Sequence, residues 1–185
     1  MLKGVVLCGG NSSRMGTDKS KLVLEKRSLV EIAKSNLQPF CDDVVFSINA
    51  SQNDLKYLHS VLDLYENEGP LSGILSAFYY LDSALLALAV DMPLVNEKTI
   101  QNLLHHRNPS KQVTAYFDAN KQLWHGTLSI WEKSSYPLLQ TFFDEGGRSV
   151  QKFLNQINAQ KVTIENPHEL LNVNTLEEFN RITKL

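Results

Sequence analysis

The chain has 185 residues and a formal net charge of −2, with 43% hydrophobic and 21% charged side chains. That balance excludes a disordered chain, which combines low hydrophobicity with high net charge, and offers no basic domain of the kind that binds nucleic acid indiscriminately. The length fits one domain with a sizeable core, but the charge is uneven: residues 1–27 hold six Lys or Arg against two acids, a local +4 that leaves −6 elsewhere.

In chain order, Gly4 to Cys8 is a valine-rich apolar run of the kind expected for a strand buried on both faces. Ser28 to Gln38 has helical spacing, with Leu29, Ile32, Ala33 and Leu37 on one face. Asp43–Ile48 reads as a second strand, Gln52–Ser60 as a helix and Val61–Tyr65 as a third strand. Leu71–Leu81 (helix), Leu85–Val90 (a very apolar strand) and Glu97–His105 (helix) continue the alternation. Gln112–Phe117 and Leu123–Ile130 predict a hairpin or mixed edge, followed by helices at about Trp131–Phe143 and Ser149–Ile157. A strand at Lys161–Glu165 and a helix at Leu176–Ile182, opened by Thr175, complete the pattern. Alternating strands and helices predict an α/β fold, a mostly parallel central sheet between helical layers with a mixed edge in the second half. Repeats, low-complexity tracts and linkers are absent, so residues 1–185 read as one domain. Cys8 and Cys41 make no disulfide framework, and Cys8 is expected to be a small buried residue. The first strand follows Met1 without a secretory h-region, and the longest apolar run, Ala84–Val90, is too short to cross a bilayer. A cytoplasmic protein with no membrane partner is expected.

The chemistry concentrates after the first strand, in Leu7-Cys8-Gly9-Gly10-Asn11-Ser12-Ser13-Arg14-Met15-Gly16-Thr17-Asp18-Lys19. Glycines allow close backbone approach, and successive loop N–H groups form a nest for anions. Ser12 and Ser13 add hydroxyls, Arg14 a planar fork and Lys19 a point charge. The position, at the carboxyl end of a strand in an open α/β sheet, is where such folds bind ligands. Neither GxxxxGK[ST] nor GxGxxG occurs, so this is neither a Walker loop nor a dinucleotide fingerprint. Asp91 directly follows the apolar run Ala84–Val90. A carboxylate there suits a hard Mg²⁺ ion, although a turn acid before Met92-Pro93 fits too.

The segment GGxSxRMGxDK resembles the molybdenum cofactor guanylyltransferases, within the nucleotidyltransferases of the sugar-nucleotide type. Gly69-Pro70-Leu71-Ser72-Gly73-Ile74 is similar to that family's GPLxGI, Val90-Asp91-Met92-Pro93 to its CDMP-type motif, and Asn172-Val173-Asn174-Thr175-Leu176-Glu177-Glu178 to NVNTPEE. The four segments follow the family's order across almost the whole chain. The resemblance implies a three-layer Rossmann-like nucleotidyltransferase fold, with residues 1–95 mainly binding nucleotide and 96–185 mainly binding the acceptor. It implies Mg²⁺-dependent transfer of GMP from GTP to the terminal phosphate of molybdopterin, with release of pyrophosphate. Cytidylyl transfer, a sugar or alditol phosphate acceptor, and a non-catalytic GTP-binding module are the alternatives. GTP and the molybdopterin cofactor are the partners implied; cofactor-synthesis or acceptor enzymes are compatible additions.

By the same resemblance Arg14, Lys19 and Asp91 carry the catalysis. Leu7, Cys8, Gly9, Gly10, Ser12, Ser13, Arg14, Gly16, Lys19, Asn49, Glu66, Gly69 and Gly73 bind the nucleotide, with backbone near Leu7 and the Asn49 region reading the guanine edge. Asp91 holds the metal with Asn174 as a second ligand. Arg148, Asn172 and Asn174 face the acceptor, Arg148 also fitting an ordinary exposed arginine. Two departures stand out. The Asp usually found after the third strand is missing before GPLxG, where Glu66 is the expected substitute with a longer reach. Gly126 replaces the proline of a His-Pro or Gln-Pro pair, after a His125 read as structural.

Overall fold

The computed structural model describes residues 2–9, 22–52, 55, 59–66 and 68–183. Strand β1 (Leu2–Leu7) is the centre of the molecule. It pairs in parallel with β4 (Asp43–Ile48) on one side and β6 (Ala84–Ala89) on the other. A parallel strand so placed is covered on both faces, which explains its unbroken apolar run. The full order is β5-β4-β1-β6-β8-β7-β9, where β5 is Ser60–Leu62, β7 Val113–Asp118, β8 Leu123–Trp131 and β9 Gln160–Thr163. Within this sheet only β8 runs against its neighbours. The mixed part is therefore in the second half, as expected, but the reversed strand is interior and β9 forms the margin. A small hairpin, β2 (Val23–Leu24) with β3 (Arg27–Ser28), turns through positive φ at Glu25 and Lys26.

Helix α1 (Leu29–Leu37) is opened by a capping box in which Ser28 and Glu31 satisfy each other's backbone N–H. It buries Leu29, Val30, Ile32, Ala33 and Leu37. Helix α2 (Pro70–Leu81) is buried from Leu71 to Phe78. The two lie on opposite faces: Gly4 meets Leu37 of α1, whereas Gly73 of α2 meets Leu7. Helix α3 (Glu97–His105) packs on β7 and β8 and on α1. Helix α4 (Tyr136–Asp144) packs against α2, and α5 (Val150–Gln156) covers β8. Helix α6 (Leu176–Ile182) begins at a Thr175–Glu178 capping box, as the sequence predicts.

Three expectations need correction. The helix expected from Trp131 starts only at Tyr136, because Trp131 ends β8, fully buried between Leu85 and Val113. The third strand stops at Leu62 rather than Tyr65. The helix expected at Gln52–Ser60 falls largely outside the described residues, while Ser60 itself is in β5 and Gln52 and Leu55 lie in tight turns.

Candidate functional site

Register brings four carboxyl ends side by side. Val61, Ser47, Leu7 and Ala89 align across β5, β4, β1 and β6. The residues just beyond them, Asp63, Asn49, Cys8 with Gly9, and Asp91, therefore share one rim of the sheet. Of the loop residues named from sequence, Gly10, Ser12, Ser13, Arg14, Gly16 and Lys19 lie outside the described residues.

The backbone entering that loop is already engaged. The Leu7 carbonyl accepts from Val90 N–H at 3.1 Å, and Cys8 N–H donates to the Ser47 carbonyl at 3.0 Å. The Cys8 carbonyl accepts from Gln52 Nε2 at 3.1 Å. An N–H has one hydrogen to give, so Cys8 N–H does not serve a base edge as well. Gly9 is the first residue whose main chain departs from the sheet. A Cβ there would sit 2.8 Å from Asp63 Oδ2, so a side chain would have to displace that carboxylate.

Asp63 is a residue that sequence reasoning missed. Ending the third strand at Tyr65 drew attention to Glu66, but β5 ends at Leu62 and the acid that follows it is Asp63. Its N–H donates to the Ile48 carbonyl at 2.8 Å, and Ser47 Oγ donates to its carboxylate. Burial pushes the Asp63 carboxyl up to about 6, opposed by the Ser47 hydrogen bond and assisted by the charge of Glu66. Glu66 is exposed. The signal available in the sequence was an acid directly after the short run Ser60-Val61-Leu62.

The two glycines of GPLSG have different tasks. Gly69 caps α2 at φ +82° with open space around it, a left-handed position suited to glycine. Gly73 is packed from within: a Cβ would strike Ser47 Oγ and lie 3.0 Å from Leu7 Cδ2. That contact sets how closely α2 approaches the sheet. Asn49 Oδ1 accepts from Ser51 N–H at 3.0 Å and from Ser51 Oγ at 2.6 Å, an Asx turn that ends β4.

Asp91 stands at the end of β6, next to β1. The segment after Leu171 is fastened to it: Asn172 Nδ2 donates to Asp91 Oδ1 at 2.9 Å, and Val173 N–H donates to the Asp91 carbonyl at 2.8 Å. Asn172, expected on the acceptor side, is thus the residue that touches Asp91. Asn174 is exposed two residues on, its N–H donating to Glu178 Oε2 at 2.7 Å. Among the described residues no three His, Cys, Asp or Glu gather as a metal site. One carboxylate with amide oxygens nearby still suits Mg²⁺, which is commonly held by one or two carboxylates together with substrate phosphates.

In the second half, Tyr116 pairs with His125 while Ala115 pairs with Ser129, so the β7–β8 register skips Gly126, Thr127 and Leu128, although Leu128 still pairs with Leu88 of β6. Thr127 reaches toward Met92, its Oγ1 3.5 Å from the sulfur. Gly126 lies under α5, where a Cβ would strike Val150 and approach Leu154 Cδ1 at 3.0 Å. Close packing explains glycine in place of proline there. His125 is half-buried, bonded to the main chain of Leu170 and held below the ordinary imidazole range mainly by burial. Arg148 is occupied by neighbours: Nε donates to Glu68 Oε2 at 2.6 Å, Nη1 to the Phe143 carbonyl at 2.6 Å, and the guanidinium lies 3.7 Å from the Phe143 ring centre.

The description "MobA-like NTP transferase domain" matches residues 4–162. The chain is 25% identical over 186 residues to the molybdenum cofactor guanylyltransferase of Vibrio vulnificus, covering 98% of this chain and 94% of that one. It is 29% identical over 182 residues to the enzyme of the same name from Yersinia pestis, covering 94% and 91%. Among solved structures it is similar to molybdopterin-guanine dinucleotide biosynthesis protein A from Archaeoglobus fulgidus, with TM-score 0.80, 21% identity, and 99% and 97% coverage.

Proposed function

As the chain belongs to the family of MobA-like NTP transferase domains, we propose that it transfers GMP from GTP to the terminal phosphate of molybdopterin, with Mg²⁺. An oxygen of the acceptor phosphate forms the new bond to the α-phosphorus, the α–β P–O bond breaks, and pyrophosphate leaves with the electron pair. The acceptor phosphate is ionised at neutral pH, so the reaction needs charge neutralisation and alignment more than a base. The observation that carries this reading is Asp91 beside the end of β1, fastened to Asn172.

Asp91 would hold the metal, with Asn174 as a second oxygen donor, and the ion would neutralise the triphosphate. Arg14 and Lys19 would neutralise the same charges from the loop. Asp63 offers carboxylate acceptors to nucleoside hydroxyl or N–H donors beside Gly9. Residues 1–95 would serve the nucleotide and 96–185 the acceptor, with Arg148 reaching the acceptor after leaving Glu68. Among the described residues no helix is long and apolar enough to cross a membrane, and a cytoplasmic enzyme with GTP and molybdopterin as partners fits this chemistry.

The test incubates purified protein with Mg²⁺, molybdopterin and each nucleoside triphosphate in turn, following pyrophosphate and dinucleotide. GTP alone should support turnover. Turnover with CTP alone would overturn the guanylyl assignment, and tight GTP binding without turnover would favour a sensor.

A further inference from the structure

Gln52 is a buried polar residue, 8% exposed, that none of the four motifs includes. Its side chain joins two strand ends. Nε2 donates to the Cys8 carbonyl at 3.1 Å, and Oε1 accepts from Asn49 N–H at 3.1 Å. Its own N–H closes the turn onto the Asn49 carbonyl at 3.1 Å. With Cys8 N–H on the Ser47 carbonyl, both main-chain polar groups of Cys8 are fixed from the β4 side. Gly9, which follows, faces Asp63, whose Oδ2 would lie 2.8 Å from a Cβ at that position.

We infer that Gln52 is a positioning residue for the nucleotide, setting where β1 stops and therefore where the Gly9 backbone meets the base and ribose. The inference rests on the nucleotide reading above and adds a residue that acts through others. A glutamine suits this task because it supplies a donor and an acceptor at opposite corners of one planar amide. Removing it would take a donor from the buried Cys8 carbonyl and an acceptor from the part-buried Asn49 N–H, which the backbone would relieve by moving.

The consequence is specific to one substrate. Gln52→Met keeps the length and removes both bonds, whereas Gln52→Glu keeps the acceptor for Asn49 N–H and removes the donor to Cys8. GTP dissociation constants, measured directly without acceptor, should rise about tenfold in Gln52→Met and at least as much in Gln52→Glu, whose carboxylate would face the Cys8 carbonyl. The KM for GTP should follow, while kcat at saturating GTP and the KM for molybdopterin stay within about twofold. An unchanged GTP dissociation constant in a folded variant of either kind overturns the inference. So do equal losses toward both substrates, which indicate a general packing role. Wild-type protein that fails to bind GTP is a different outcome, one that removes the nucleotide reading itself.

Discussion

The rim formed by β5, β4, β1 and β6 and the opposite flank formed by β8, β7 and β9 treat polar side chains differently. On the flank they satisfy one another. Arg107 forks onto Glu132 through two bonds of 2.7 Å, and Gln151 of α5 makes both an accepting and a donating bond to the Trp124 backbone. Lys161 Nζ lies 3.7 Å from the Phe117 ring centre. On the rim, a carboxyl is kept where burial disfavours its charge, as Asp63 shows. Asp91 accepts from the Asn172 side-chain amide. Groups whose charge the fold itself disfavours are candidates for work on a ligand, whereas closed networks are candidates for holding shape.

The largest test of this contrast is Asp91→Ala. Activity should fall on the order of a thousandfold, the scale seen when a principal electrostatic stabiliser is removed. Circular dichroism and the urea midpoint should change little, because Asp91 is only half-buried and its main-chain bond to Val173 survives. Retained turnover would move the chemistry away from the rim. Chelation of divalent metal should reproduce the loss in the wild type and be reversed by Mg²⁺.

Gly73→Ala tests the packing beneath the rim. The added methyl strikes the Ser47 hydroxyl that holds Asp63. Overpacking of this kind costs about 1–3 kcal/mol, read as a lower urea midpoint. A variant of unchanged stability would mean that α2 can shift without cost, and that Gly73 was retained for ligand access instead.

Asp63 gives a pH test with a definite sign. Its folded pKa of about 6 exceeds the ordinary value of 3.8. Its contribution to stability is therefore fully present below the unfolded pKa and is lost as pH rises through about 6. The loss is roughly 3 kcal/mol by this linkage. Asp63→Asn, which can still accept from Ser47, should flatten that part of the stability profile and be the more stable protein at pH 8. A parallel pH dependence in both proteins would contradict the burial argument.

Most of this arrangement was legible in the sequence because long apolar runs and helix caps act locally. β4, α3 and α6 have the expected limits, and Asp91 follows its strand as the apolar run implies. Asp63 and Gln52 were not legible. Each matters through a partner that the sheet brings across it, Gly9 for one and Cys8 for the other. β5 is only Ser60–Leu62, too short for periodicity to fix its end, and that error moved attention to Glu66. Trp131 was misplaced because its burial comes from Leu85 and Val113, distant in sequence.

The smallest expected effect concerns the contact that joins the two regions. Glu68 precedes the GPLSG segment, and Arg148 precedes α5, so their ion pair ties the segment before α2 to the segment before α5. Both side chains are substantially exposed, at 44% and 38%, so the pair should add less than about 1 kcal/mol to stability. Glu68→Gln should therefore leave the urea midpoint nearly unchanged. Its kinetic effect separates two roles for Arg148. If the guanidinium serves the acceptor phosphate, Glu68 competes with that phosphate, and neutralising it should lower the KM for molybdopterin by about two- to fivefold, less at high salt. If Arg148 is a brace like Arg107, the KM should hold. An acceptor KM that rises in Glu68→Gln would contradict competition and place Glu68 itself among the groups that favour acceptor binding.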